Sequence, residues 1–291
     1  MTDSISAIVV NYNAGDLLKV CIESLRACPI VREIIVVDNA SHDGSLEAIQ
    51  DLPEITLVRN SQNLGFAAAC NKGIELARSP YLLFLNPDCN FEQGTIMTIA
   101  ECLSQDDRAG MAGGLLINPD GTEQAGGRRA VPTPWRSFVR AFGLYRLANR
   151  WPRLFYDFNL HNQPLPTTPI EVEALSGACM LVRRKAIDDV GLWDEGYFLH
   201  CEDLDWCMRF RQKGWKVLFV PTAKVTHAHG ACSGGRPIFV EWHKHKGMMR
   251  FYRKFFRHQY PGVLMWLVAL GVWSRFAALA GIYTIRCFWH K

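Results

Sequence analysis

Four short runs, SAIVV (6–10), EIIVV (33–37), ITLV (55–58) and YLLFL (81–85), alternate with amphipathic segments over the first 110 residues. A strand with one face in water alternates apolar and polar side chains. A run that is apolar nearly throughout is buried on both faces, which is the condition of a parallel sheet covered by helices. The segments between supply those helices: Leu17, Leu18, Cys21, Ile22 and Leu25 recur at 3.6-residue spacing, as do Leu46 with Ile49, and Ala69, Gly73, Ile74 and Ala77. Strand and helix in alternation predict an α/β fold built on a mostly parallel sheet flanked by helices.

Beyond residue 120 the texture loosens. Residues 128–169 are rich in Arg, Pro and aromatics without a clean period, which predicts an irregular excursion beside the active face, helical around Phe138 to Asn149. Regular sequence resumes with VEALSGACMLVRR (172–184), a strand, then a short helix to Val190. GLWDEGYFLHCEDLDWCMRFRQKG (191–214) reads as a loop and a helix stopped by Gly214. WKVLFVP and AKVTHAH read as two further short strands. The division expected from these textures is a unit over 1–240 and a helical tail over 241–291.

The tail has its own character. Between Trp242 and His258 lie Lys244, Lys246, Arg250, Arg253, Lys254 and Arg257, with no acid, although the whole chain carries a formal net charge of only +4. Such a run suits lipid headgroups or nucleic acid, or is a solvated helix face. From Gly262 to Ile285 the one charged residue is Arg275. A membrane span needs ~20 apolar residues, and a charge near its centre costs about 2.5–3.5 kcal/mol. A span, a helix lying in the interface and a buried core helix all fit this stretch. The basic block leads straight into it, which favours a membrane surface and disfavours nucleic acid.

Hydrophobic residues at 49% and charged residues at 21% give a packed core and exclude a disordered chain. The ten cysteines form no CxxC pair and several sit in apolar runs, so they read as reduced packing residues of a cytosolic protein. The chain enters its first strand at Ile5 with no basic stretch before it, so no signal peptide is expected.

Ligands of such sheets bind outside the carboxyl ends of the strands. There the sequence places Asn11-Tyr12-Asn13, Asp38-Asn39, Arg59-Asn60 and Asn86-Pro87-Asp88. The turn after the first strand, NYNAGD, has one glycine, so it is neither a dinucleotide-binding G-x-G-x-x-G nor a phosphate-binding P-loop. A diphosphate would then be neutralised by a divalent cation on carboxylate oxygen. Asp88 is placed to hold one: Pro87 fixes its own φ and biases Asn86 toward extended backbone, so the carboxylate is aimed.

VVNYN, VVDNASHDGS, NLGFAAACNKG, LFLNPD, LSGACMLVRR, FLHCEDLDWCMR and a strand ending in THAHG follow one another in order. This series, over about residues 4–235, resembles the family 2 glycosyltransferases of GT-A fold, and within them the bacterial rhamnosyltransferase-like branch. The resemblance implies an inverting, metal-dependent hexosyltransferase using Mg²⁺ or Mn²⁺. It implies a nucleotide-diphosphate sugar donor (dTDP-rhamnose first, or a UDP-sugar such as UDP-galactofuranose or UDP-N-acetylglucosamine). It also implies a lipid-linked saccharide acceptor at the cytoplasmic face of the inner membrane of a bacterium, and a role in cell-surface polysaccharide synthesis.

The resemblance also distributes roles. Asn11 and Asn13 would line the nucleotide pocket. Asp38 would accept from a pyrimidine N3–H or the ribose, or else form an Asx turn with the polar residues after it. Asn63 and Gly65 would approach the nucleotide closely. Asn86 and Asp88 stand where the family has D-x-D. An amide at the first position cannot supply charge, so Asp88 would be the carboxylate ligand. His227, matching His-x-x-Gly with Gly230, would be the second metal ligand, with His229 in reserve. Asp203 would be the catalytic base and Glu202 the second choice. Asp205 would be structural and paired with Arg209. Gly177, Trp193 and Asp194 would shape the acceptor side, Trp193 either as an aromatic plane or as packing.

Two rival readings carry less. A sugar nucleotidyltransferase should have a glycine-, arginine- and lysine-containing loop after the first strand, which NYNAGDLL lacks. A non-catalytic sugar-nucleotide-binding subunit is favoured by Asn86 alone.

Overall fold

A computed structural model of the chain describes residues 4–228 and 236–289. Strands β1 (Ile5–Asn11), β2 (Val31–Asp38), β3 (Ile55–Arg59) and β4 (Tyr81–Leu85) pair in parallel in the spatial order β3-β2-β1-β4. Helix α1 (Asp16–Arg26) buries Leu18, Cys21, Ile22 and Leu25 in one core layer with Ala7 and Val9. Helix α2 (Phe66–Leu76) buries Ala67, Ala69, Cys70 and Ile74 in the other layer, with Ile8 and Val10. Adjacent residues of β1 thus enter opposite layers, which is why its sequence is apolar without alternation. Helix and strand approach so closely that a Cβ at Gly73 would lie 2.4 Å from Ile8 Cγ2.

The helical pattern expected of Leu46 and Ile49 is not a helix. Residues 44–52 form successive turns, with Glu47 N–H donating to Gly44 O at 3.0 Å and Ile49 N–H to Leu46 O at 3.1 Å. Too few residues separate the polar loop after β2 from Pro53 for a regular helix to extend.

Beyond β4 the sheet becomes mixed. The remaining elements are β5 (Cys89–Phe91), α3 (Thr95–Ser104), β6 (Ala109–Ile117), β7 (Arg128–Arg129), α4 (Pro134–Ala141), β8 (Ile170–Glu171), β9 (Ala174–Leu175), β10 (Cys179–Arg183), α5 (Arg184–Val190), α6 (Glu202–Gln212), β11 (Lys216–His227), α7 (Pro237–Phe255) and α8 (Gly262–Trp289). Strand β10 is antiparallel to both β4 and β6, β11 is parallel to β6, and β5 and β8 are antiparallel to β11. The two strands expected at 215–229 are one. Its register jumps from Val220↔Gly114 to Lys224↔Leu115, so the chain bulges past Pro221, which has no N–H to give the ladder.

The excursion is tethered at both ends, because β7 pairs with β9 (Arg128↔Leu175, Arg129↔Ala174). Its expected helical part divides into α4, capped by the Thr133 side chain accepting from Arg136 N–H, and a 3₁₀ turn at Leu144–Asn149. Phe251 and Tyr252 of α7 are buried in the core layer that contains α2 and α6, and Met249 is also buried. Packing therefore continues across 240/241, and the division there stands as a proposal from composition. Helix α8 presents an apolar stretch, 262–286, of mean hydropathy 1.8, with none of its most apolar window buried. Arg275 is turned toward α7, 3.1 Å from His245 Nε2 and 3.9 Å from Glu241.

This topology decides where a site lies. Strands β4, β6 and β11 point the same way and β10 points the other way. The carboxyl ends of β4 and β11 and the amino end of β10 consequently meet along one edge of the sheet.

Candidate active site

Asp88 follows β4, and His227 ends β11, where it pairs across the sheet with Cys89. Both side chains are buried, and His227 Nε2 lies 3.2 Å from Asp88 Oδ1. The imidazole is oriented from behind: Nδ1 is 2.6 Å from Gln124 Oε1. The Gln124 amide nitrogen donates to Asn118 Oδ1 (3.0 Å) and to His227 O (3.3 Å), so its oxygen faces the ring. In the neutral ring this network puts the proton on Nδ1 and turns the Nε2 lone pair toward Asp88. Asn86 Nδ2 is 3.4 Å from the same Nε2.

Among the described residues, Asp88, Cys89 and His227 form the one group whose ligand atoms lie within 4.8 Å of one another. Burial, and then the neighbouring Asp88 charge, push the Cys89 thiol well above its ordinary range, so it stays protonated and is not a ligand for a hard cation. One carboxylate and one imidazole fit a divalent ion that takes its remaining ligands from diphosphate and water. His229 and Gly230 lie outside the described residues.

A second centre sits beside the first. Helix α6 begins at Glu202, and Asp203 is ion-paired through Oδ2 with the Arg129 guanidinium from β7. Asp203 Oδ2 also accepts from Gly177 N–H at 3.2 Å. The next residue in the turn, Ala178, accepts from Asn86 N–H at 2.9 Å. The two residues before β10 therefore connect the Asp88 side to the Asp203 side. Burial opposes the charge on Arg129, but Asp203 outweighs it and the guanidinium is held more firmly protonated than usual. Glu202 is buried, its Oε2 has no hydrogen-bond partner among the described residues, and burial followed by the Asp203 charge pushes it up to about 8.

The predicted nucleotide residues gather at the ends of β1 to β3. Asn11 Nδ2 lies 2.8 Å from Asp38 Oδ1 and 2.8 Å from Ser45 Oγ, while Asn11 Oδ1 is buried without a partner among the described residues. Asp38 accepts from Ser41 N–H (3.1 Å) and Ser41 O–H (2.6 Å), the Asx turn that was the other reading of this residue. Asn13, at φ 52°, accepts from His42 N–H at 2.8 Å. Asn63 Oδ1 accepts from Gly65 N–H at 2.9 Å.

Three of the expected residues are engaged within the protein itself. Gly65 is required by protein packing: its φ is 86°, and a Cβ there would lie 2.6 Å from Phe198 O. Trp193 is 2% exposed, with its ring 4.0 Å from that of Trp206, so it packs the core and offers no plane to a sugar. The loop is held there by Asn71, which accepts from Trp193 N–H at 3.0 Å and donates to Trp193 O at 3.0 Å. Asp194 is bound to Arg250 (2.8 Å) and Lys254 (2.7 Å) of α7. Burial opposes its charge, but these hydrogen bonds prevail and hold the carboxyl at about 2. Asp205 pairs with Arg209 at 2.7 Å, as expected.

Residues 6–191 match the model of glycosyl transferase family 2. The chain belongs to that family. A second model, glycosyl transferase family group 2, matches residues 130–289. The glycosyltransferase is 33% identical over 251 residues (81% of its chain, 79% of the relative) to the N-acetylglucosaminyl-diphospho-decaprenol L-rhamnosyltransferase of Mycobacterium tuberculosis. It is 23% identical over 262 residues (87% and 78%) to the dTDP-rhamnosyl transferase RfbF of Shigella flexneri. In structure it is similar to the mannosyltransferase PcManGT from Pyrobaculum calidifontis in complex with GDP-Man and Mn²⁺, with a TM-score of 0.57, 17% identity and coverage of 98% of this chain and 80% of that one. It is also similar to GalNAc-T7 with UDP, GalNAc and Mn²⁺, with a TM-score of 0.58, 19% identity and coverage of 77% and 44%. The fold is that of the GT-A glycosyltransferases.

Two members of the glycosyltransferase's site escaped the sequence reading, Arg129 and Gln124. Each is a single polar residue with no motif spacing. The local signal that existed was the Arg128-Arg129 doublet: on a strand, adjacent side chains point opposite ways. Arg128 turns to Glu123 (2.7 Å) and Arg129 to Asp203.

Proposed function

We propose that the enzyme transfers rhamnose from dTDP-rhamnose, with inversion, to a lipid-linked saccharide at the cytoplasmic face of a bacterial inner membrane. The observation that carries this reading is the adjacency of two unlike centres across residues 177–178: an Asp88–His227 pair suited to a cation and diphosphate, and an acidic pair in which Asp203 is held by Arg129. The likeness to the mycobacterial rhamnosyltransferase supports the donor sugar and the lipid-linked class of acceptor.

Asp88 and His227 would hold Mg²⁺ or Mn²⁺, which supplies positive charge to a departing diphosphate. Asp203 takes the proton of the acceptor hydroxyl as it attacks the anomeric carbon opposite the leaving group, a contribution of about 10²–10⁴ in rate. Arg129 aims the Asp203 carboxylate through their ion pair. Glu202 remains the second candidate for the base. Burial and the Asp203 charge raise its carboxyl, which makes it the weaker candidate beside Asp203. Asn11, Asn13, Asp38 and Asn63 form the nucleotide side, where the unpartnered Asn11 Oδ1 awaits a donor. Asn86 contributes its amide beside Asp88, and Gly177 gives its N–H to Asp203. Helix α8 is the membrane-seating element.

The test is a panel of dTDP-, UDP- and GDP-sugars with a polyprenyl-diphosphate-linked N-acetylglucosamine acceptor, with and without each metal. Product from dTDP-rhamnose alone supports the proposal. Product from a UDP-sugar instead replaces the donor, and nucleotide-sugar binding without product from any donor favours the non-catalytic reading.

A further inference from the structure

We infer that residues 134–155, outside the catalytic edge and outside the tail, form a second membrane-contact surface that takes an anionic lipid bilayer. The inference rests on the reading that α8 seats the enzyme on a membrane.

Helix α4 has two unlike faces. Its inner face is fixed to the body: Val139 is buried, Arg136 pairs with Glu173 at 2.7 Å, and Arg140 pairs with Asp157 at 2.7 Å. Its outer face presents Trp135, Phe138 and Phe142, spaced three and four residues apart on one stripe. Phe142 is 69% exposed. The rings cover one another, with centroids 5.6 Å apart for Trp135–Phe138 and 4.6 Å for Phe138–Phe142. Leu147, Trp151 and Leu154 extend the exposed patch through the following turns. Among the described residues nothing covers it, and a contiguous aromatic patch in water marks a docking surface.

Charge selects the occupant. From Pro134 to Tyr156 the chain has five arginines and no acid. Arg146, Arg150 and Arg153 are exposed and make no ion pair among the described residues. Aromatic rings interleaved with free arginines match the boundary between acyl chains and anionic headgroups. The patch is also joined to the membrane-seating element. Tyr252 of α7 donates to Ser137 Oγ of α4 at 2.6 Å, and α7 packs along α8.

The test uses the full chain with phosphatidylcholine vesicles, with and without phosphatidylglycerol. An environment-sensitive fluorophore is placed at Phe142→Cys and, in a separate protein, at Trp266→Cys on α8. Wild type treated in parallel sets the background from native thiols. The expected result is a blue shift at both positions on anionic vesicles, with quenching at 142 by lipids carrying a nitroxide near the headgroup. A shift at 266 with none at 142 overturns the inference and leaves the tail reading intact. No shift at either position overturns both. A shift at 142 that grows with protein concentration in the absence of vesicles overturns it in favour of self-association. In an unlabelled protein, Arg146→Gln, Arg150→Gln and Arg153→Gln together should weaken binding to phosphatidylglycerol-containing vesicles by about five-fold per arginine, and the loss should shrink as salt rises. Unchanged affinity would overturn the lipid assignment.

Discussion

Arg129 and Asp203 form a partly buried ion pair between β7 and the first turn of α6, so the excursion and the acidic helix are held by one contact. The pair is more than a positioning device. Removing one partner of a fully buried pair costs about 3–5 kcal/mol, and partial solvent access here reduces that figure. Arg129→Met should therefore lower the urea midpoint strongly. Arg129→Met with Asp203→Asn should be less destabilised than the two single variants summed, as read from a double-mutant cycle. Strict additivity would mean that the two side chains are not coupled.

Asp203→Asn tests the base, with circular dichroism confirming that the variant remains folded despite losing its charge partner Arg129. The amide keeps the shape of the carboxylate but cannot take a proton. Donor binding, followed by calorimetry, should persist while turnover falls by about 10²–10⁴. If Glu202→Gln produces that fall and Asp203→Asn does not, the roles in the acidic pair are exchanged.

Gln124→Leu removes the acceptor that orients His227 Nδ1–H while leaving both proposed metal ligands in place. Loss of such a supporting contact typically weakens metal affinity by about 10–100-fold. Mn²⁺ titration followed by paramagnetic resonance should show this with donor nucleotide present. His227→Ala should lose more. Equal affinity in wild type and Gln124→Leu would place the metal elsewhere.

Legibility in the sequence followed the range of the contacts. Strands β1, β2 and β4 were readable because burial on both faces is written into consecutive residues. Strand β11 was divided wrongly because Pro221 looks like a stop, and only the partner β6 shows that pairing resumes beyond it. Asp88, His227 and the Glu202–Asp203 pair were visible as motifs at element ends. Arg129 meets Asp203 across 74 residues, and Gln124 meets His227 across 103. The Arg128-Arg129 doublet marks two opposed side chains but names no partner, and nothing near Gln124 reports its contact. Trp193 could be assigned to the core only once Asn71, 122 residues away, was seen to hold its backbone.

Glu202 gives a pH signature. Its carboxyl is pushed from the ordinary value of 4.5 up to about 8 by burial and by Asp203. A carboxyl raised on folding binds its proton more tightly in the folded state. Its contribution to stability is therefore largest at low pH and declines as pH rises from about 4.5 toward 8. Each unit of displacement corresponds to about 1.4 kcal/mol. Glu202→Gln, which cannot ionise, should gain on wild type by a few kcal/mol between pH 5 and pH 8.5. Urea midpoints at the two pH values check this. A constant difference would show that Glu202 titrates alike in the folded and unfolded chain.

Truncation locates where the tail begins. Composition changes at residue 241, but Phe251 and Tyr252 of α7 are buried with the core, and Arg250 and Lys254 hold Asp194. Helix α8 is attached differently. Arg275 bonds back to His245, while Trp266 on its apolar surface is 79% exposed. A chain ending at Pro261 should therefore stay folded, with a thermal midpoint near that of the full chain, and should leave the membrane fraction. A chain ending at Glu241 loses several large buried side chains, each deletion of that kind costing about 2–5 kcal/mol. It should be insoluble or unfolded by circular dichroism. If the chain ending at Pro261 sediments with membranes as the full chain does, α8 is not the seat. The aromatic patch on α4 would then carry the attachment by itself.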